Sequence, residues 1–124
     1  MLVTKDDCDL YSSSLSGVRP LLEMMEWFPA GFPDATVADR IVGGCAARIF
    51  VHLKASVVFS EKSSVEAERI LSAAGIEHDS LRTVPEIRNR DDTDICPFER
   101  LSREYTDVRE LVRQMRRKLE QLRA

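Results

Sequence analysis

Thr36-Val37-Ala38-Asp39-Arg40-Ile41-Val42-Gly43-Gly44-Cys45-Ala46-Ala47-Arg48-Ile49-Phe50-Val51-His52-Leu53 is the stretch on which the reading of the fold turns. From Val37 to Leu53 the only strongly polar residues are Asp39, Arg40, Arg48 and His52. Thr36 followed three residues on by Asp39 resembles a capping box, which satisfies free amides at a helix start. The segment is therefore expected to be one helix over 36–53, apolar on nearly all sides and so central and covered by other elements. Two interior glycines cost a helix about 1 kcal/mol each relative to alanine. Close packing of another backbone against Gly43-Gly44-Cys45-Ala46-Ala47 is the expected compensation.

Working outward, the N-terminal side reads as a hairpin. Leu2 and Val3, a polar turn at Lys5-Asp6-Asp7, and Cys8, Leu10 and Tyr11 among polar residues have the period of half-buried strands. Val18 to Trp27 carries an apolar helical face, with Pro20 tolerable in the first turn, and Phe28 to Pro33 is a loop by its proline and glycine content. On the C-terminal side, Ala55 to Phe59 predicts a buried strand. Ser63 with Glu66 predicts a capped helix ending at Gly75, and Ile76 to Val84 an edge strand. Pro85 to Ile95 is a polar loop. Cys96-Pro97-Phe98-Glu99 starts a last helix, with Pro97 where a missing N–H is harmless. Leu101, Tyr105, Val108, Val112, Met115, Leu119 and Leu122 are spaced 4, 3, 4, 3, 4, 3 along it, the rhythm of a helix with a long narrow partner. Alternating strands and helices after a hairpin make an α/β fold with a small mixed sheet.

Composition narrows the function classes. Leu, Ile, Val and Phe supply 34 of 124 residues, above the ~20% below which charged chains stay unfolded. A net charge of −3 argues against general nucleic-acid binding. No apolar run approaches the ~18 residues of a transmembrane helix, and Lys5-Asp6-Asp7 interrupts any signal peptide. Cys8, Cys45 and Cys96 are odd in number and lack CxxC spacing, which fits the reducing cytoplasm. Residues 103–124 hold seven Lys or Arg against four Asp or Glu. Glu110 and Glu120, set among the basic residues, predict a solvated face instead of a nucleic-acid or membrane arm.

The candidate chemistry gathers before and at the last helix. A thiol at a helix N-cap, as at Cys96, favours the thiolate, so Cys96 is the one candidate nucleophile; with Glu99 it also fits a capping box. Asn89, Arg90, Asp91, Asp92, Thr93 and Asp94 form a dense polar loop, in which Arg90 suits a phosphate or carboxylate. A calcium loop is excluded, since the required glycine is absent and Arg103 stands where the bidentate Glu belongs. His52 and His78 lack HxE or CxxC neighbours, so no zinc site is expected, and neither a GxSxG nor a phosphate-loop motif occurs.

Gly17-Val18-Arg19-Pro20-Leu21-Leu22, then Val37-Ala38-Asp39-Arg40-Ile41-Val42-Gly43 with Ala46-Ala47, and Asn89-Arg90-Asp91-Asp92-Thr93-Asp94-Ile95-Cys96-Pro97-Phe98-Glu99 occur in this order. Together they resemble a prokaryotic family of unknown function whose fold is similar to cytidine deaminase. The resemblance covers about residues 1–101 and implies a three-layer α/β fold, a mixed sheet with helices on both faces. It implies no deaminase activity: zinc deaminases use HxE and PCxxC, whereas this chain offers Thr36-Val37-Ala38-Asp39 and a single Cys96 followed by Pro97. Members of the family commonly carry a helix before the first strand, while this chain starts almost at the strand. The helix over 103–124 is then expected to cover the surface that helix would cover, or to pair with a mate.

These readings divide the chain into a domain over 1–102 and a helical extension over 103–124. They predict a small-molecule ligand, a nucleotide or other phosphorylated metabolite, without cofactor or metal. The expected pocket lies between the start of the 36–53 helix (Asp39, Arg40) and the loop and cap (Asn89, Arg90, Asp92, Thr93, Cys96, Glu99). The alternative is an interaction module that forms a homodimer through Val108, Val112, Met115, Leu119 and Leu122.

Overall fold

The computed structural model describes residues 1–15 and 17–123; the expected extension ends at Ala124, which lies outside the described residues. The strands are β1 (Leu2–Lys5), β2 (Cys8–Ser12), β3 (Thr36–Val42), β4 (Val57–Ser64) and β5 (Glu77–Val84). The helices are α1 (Arg19–Trp27), α2 (Gly44–His52), α3 (Val65–Ala73), α4 (Pro97–Glu104) and α5 (Val108–Arg123). The strand order is β2-β1-β3-β4-β5. β1 runs antiparallel to both its neighbours, and β3, β4 and β5 are parallel.

The stretch 36–53 is not one helix. It is the central strand β3, a turn through an extended Gly43 (φ −99°, ψ −171°), and the buried helix α2. Thr36 and Asp39 therefore cap nothing; the Asp39 carboxylate accepts its neighbour Arg40 N–H at 2.8 Å. Val37, Ile41 and Val42 are β-branched and suit a strand between two partners. A strand running directly into a covered helix leaves one unbroken apolar run, in which periodicity alone cannot separate the two.

Elsewhere the expected elements stand, with shifted bounds. The hairpin turns on Asp6 and Asp7, both with positive φ (52° and 64°), as a two-residue turn matching strand twist requires. β4 continues past Phe59 to Ser64. The cap of α3 is Ser64, whose hydroxyl accepts Ala67 N–H at 3.1 Å, while Ser63 donates to Glu68 at 2.6 Å. Gly75, at φ +74°, ends α3 as expected. The single last helix is two. Tyr105 is extended (φ −116°, ψ 104°), and α5 restarts where Asp107 C=O accepts Leu111 N–H at 2.8 Å. The seam docks within the chain: Leu111, Val112 and Met115 are buried in the main core, and Val108 and Leu119 pack against it.

The α/β class, the mixed sheet, the N-terminal hairpin and the C-terminal helix stand, and a three-layer arrangement is consistent with them. The expected helices on both faces do not stand, because the five helices among the described residues lie on the same side of the sheet. The crossovers β3-α2-β4 and β4-α3-β5 advance in one direction, and with the usual right hand both place their helix on the same face. α1, α3, α4 and α5 all contact α2, so the layers run sheet, inner helices, then α4 with α5. The core joins Val3, Val37 and Val58 of the sheet to Ile49 and Phe50 of α2 and Leu71 of α3. No element among the described residues covers the other sheet face. Leu2, Ala38 and Phe59 share a row across it and are exposed.

One irregularity crosses the three parallel strands together. Val37 and Val42, both 0% exposed, and Val58 and Ser63, 1% and 3%, point toward the helices, yet each pair is five residues apart. His78 bonds Ser72 of α3, and Thr83, five residues on, bonds Glu68 of α3. Strict alternation would send the second member of each pair outward. The ladders skip Arg40, Glu61 and Leu81, so each strand spends one extra residue in the same row. As neighbours of the inward Ser63 and Thr83, Lys62 and Arg82 consequently point to the bare side.

Candidate functional site

The expected site residues fall into three places. Asp39 and Arg40 lie on β3, not at a helix start. Arg40 is on the bare face, 3.8 Å from Glu61. Asp39 is partly buried, and that burial holds its carboxyl above the usual range, against the opposing pull of the Arg40 amide and of nearby positive charge. Asn89, Asp92 and Thr93 do come together. Asn89 Oδ1 accepts Thr93 N–H at 3.0 Å, its amide donates to Thr93 Oγ1 at 3.1 Å, and Asp92 turns at φ +54°. Such self-bracing is what Asn and Asp do in tight turns. Arg90 is exposed beside them.

Cys96 and Glu99 do not form a capping box. Cys96 occupies the N-cap position without a side-chain bond. Glu99 is 3% exposed and reaches away from its own helix. Its Oε1 accepts Gly44 N–H at 2.7 Å and the Ser64 hydroxyl at 3.4 Å; its Oε2 accepts Ile87 N–H at 2.7 Å. A carboxylate is thus seated at the positive end of α2, where an anion is favoured. A Cβ on Gly44 would overlap Ser102, lying 2.7 Å from its Cβ, and a Cβ on Gly43 would lie 3.1 Å from Ile87 Cγ1. The close packing around these glycines comes from the side chains of Ile87, Glu99 and Ser102 and not from the expected backbone, and it plugs the end of α2. Beside it, Cys45 donates to Phe98 C=O at 3.0 Å. Burial, then the nearby Cys96 and Glu99, pushes its thiol up to about 12.

Open space lies next to this plug, at the carboxyl ends of β4 and β5. A cleft of about 540 Å³ is lined by Lys62, Arg82, Val84, Pro85, Glu86, Arg88, Asn89 and Asp92. Arg88 is committed, donating to Glu86 at 2.9 Å and to Asp92 at 3.1 Å. Lys62 and Arg82 are paired in the β4–β5 ladder, and among the described residues neither has an ion-pair partner. Of the expected residues only Asn89 and Asp92 line this cleft. Lys62, Arg82, Glu86 and Arg88 were missed, because strand pairing, not sequence proximity, assembles them.

The family model described as TM1506, a domain of unknown function (DUF1893), matches residues 1–119. The chain belongs to the DUF1893 family. The crystal structure of a DUF1893 family protein (TM1506) from Thermotoga maritima is similar to it, with a TM-score of 0.84 at 25% identity. That match covers 94% of this chain and 78% of the other. No curated protein matches this chain. In this DUF1893 chain the matched region extends through most of α5, in keeping with the buried Leu111 and Met115 that tie α5 to the core. No helix among the described residues is long and apolar enough to cross a membrane.

Proposed function

We propose that this protein binds a small anionic ligand, a phosphorylated metabolite or nucleotide, in the cleft at the carboxyl ends of β4 and β5. The observation that carries the reading is the pair Lys62 and Arg82, side by side on the wall and without carboxylate partners among the described residues. A planar guanidinium beside a flexible ammonium suits phosphate oxygens, and the cleft volume falls in the range of small-molecule sites, ~300–1,000 Å³. Asn89 also lines the cleft, and Arg88 is neutralised by its own acids. The phosphate contact expected of Arg90 passes to Arg82.

The reading is of binding and not of zinc-dependent deamination, in a domain whose motifs resemble a cytidine-deaminase-like family. The start of α2 reads Gly43-Gly44-Cys45 and supplies neither the histidine ligand nor the proton-carrying glutamate of HxE. The Cys45 thiol, raised to about 12, remains protonated at neutral pH.

Thermal unfolding in the presence of inorganic phosphate, pyrophosphate and a nucleotide panel tests the proposal. A ligand at a hundredfold excess over Kd stabilises by about 2.7 kcal/mol, which moves a domain of this size by several degrees. The shift is expected to vanish in Lys62→Ala/Arg82→Ala and to persist in Arg90→Ala. No shift across the panel, or a shift indifferent to Lys62 and Arg82, overturns it.

A further inference from the structure

The sheet face opposite the helices is the largest feature that the cleft leaves unexplained. Phe59 and Ile41 are each 48% exposed and Leu81 is 87% exposed, with Leu2 and Ala38 beside them on the same face. Exposed apolar patches larger than a few hundred Å² mark interaction surfaces. Five strands spaced ~4.8 Å, about six residues long on average at ~3.3 Å each, span roughly 24 by 20 Å. That plan area, about 500 Å², is below the ~800 Å² per partner of a standard interface and fits a small one.

The charges on this face say what fits it. At the amino ends of the parallel strands it carries Glu77 and Asp79; in the skipped row Arg40 and Glu61 pair at 3.8 Å and offset each other, and past that row it carries Lys62 and Arg82. The face therefore runs from acidic through apolar to basic along the strand direction. Turned about a two-fold axis lying between two such faces and across the strands, the pattern meets its own complement, acidic end on basic end. A surface that complements itself under a two-fold is the requirement for an isologous dimer.

We infer that two copies of this chain pack these bare sheet faces together with their strands antiparallel. The contact buries Phe59 and Leu81 near the axis, and sheets so packed lie about 10 Å apart. This differs from a dimer through α5, whose seam is already spent on the core. Its apolar anchors do not line the cleft, but its basic end, Lys62 and Arg82, does, so dimer formation and anion binding compete for that pair, and Leu81→Glu tests the dimer without touching the ligand site.

Sedimentation velocity on the intact chain tests it. A dimer is expected at about 100 μM, with Leu81→Glu and Phe59→Glu weakening its Kd by at least about tenfold while the circular dichroism spectrum is kept. Leu122→Glu, on the exposed end of α5, is expected to leave the dimer unchanged. Glu77→Lys/Asp79→Lys and Arg40→Glu/Arg82→Glu are each expected to be monomeric alone and to form a heterodimer when mixed. A monomeric parent chain, a dimer insensitive to Leu81→Glu, or no heterodimer on mixing would each overturn the inference.

Discussion

Replacing Glu99 by alanine removes a carboxylate that joins four parts of the fold. The buried Gly44 N–H and the half-buried Ile87 N–H, each 2.7 Å from it, lose their acceptor. An unsatisfied buried donor costs about 1–3 kcal/mol, so the pair costs about 2–6 kcal/mol. Against this stand the carboxylate's desolvation, no longer required, and up to ~2 kcal/mol of side-chain entropy. A net loss of about 3 kcal/mol remains, a large share of the ~5–15 kcal/mol that holds a domain folded. Glu99→Gln keeps the shape and one carbonyl oxygen but turns an NH₂ toward the second amide, so it should cost about 1–2 kcal/mol. Urea unfolding followed by circular dichroism separates the three proteins. With m near ~2 kcal/mol/M, the alanine midpoint falls by about 1.5 M at unchanged m and the glutamine midpoint lies between. A loss under about 1 kcal/mol for Glu99→Ala would refute the reasoning, because solvent would then serve both amides as well as the carboxylate does.

Gly44→Ala should gain up to ~1 kcal/mol of helix propensity and still destabilise by about 1–2 kcal/mol, since its Cβ overlaps Ser102 and overpacking costs about 1–3 kcal/mol. In a Ser102→Gly background the same change should cost less, a coupling that a double-mutant cycle of melting curves reads directly. Burial raises the Asp39 carboxyl in the folded state. The native protein then holds its proton to higher pH than the unfolded chain, and stability falls as pH rises through that window. Asp39→Asn, which keeps an acceptor for the Arg40 amide, is expected to be more stable than the parent at pH 7 and to lose that advantage in acid; an unchanged difference in melts at pH 7 and pH 3 would count against it. Cys8 is exposed and Cys45 buried, so mass-spectrometric timing of alkylation at neutral pH should find Cys8 modified first and Cys45 last, on the unfolding timescale. Early Cys45 labelling would contradict a thiol raised to about 12.

Local signals carried much of the fold. The Asp6-Asp7 turn, Pro20 in the first turn of α1, Gly75 after α3 and Pro97 at the head of α4 each act within a few residues, and each element stands where they put it. The misread stretch failed for a tertiary reason. β3 has helices on one face and an uncovered face that carries Ala38 and Ile41, so no polar alternation marks it as a strand. The heptad count ran through Tyr105–Asp107 because the seam residues on both sides turn toward the same core, although Asp107 ahead of Val108 is itself a helix-start signal. The ligand cleft was the least legible. Lys62 and Arg82 are twenty positions apart and become neighbours only through the β4–β5 register, while the loop before α4, so dense in polar groups, spends most of them on its own turn. Glu99 was singled out, and its partners were misjudged because Gly44 lies fifty-five positions away.

The residue that each parallel strand spends at Arg40, Glu61 and Leu81 bears on how such a chain can change length. Deleting a residue from β4 alone would put the end of the strand out of phase with both neighbours: Ser63 would face away from Glu68, and Ser64, drawn into its place, would no longer cap α3. A one-residue slip reverses every side chain beyond it, so β3, β4 and β5 can shed or gain this residue only as a set. Insertions and deletions among functional relatives should therefore collect in the connections, at 28–35 and 85–95, and avoid these strands altogether.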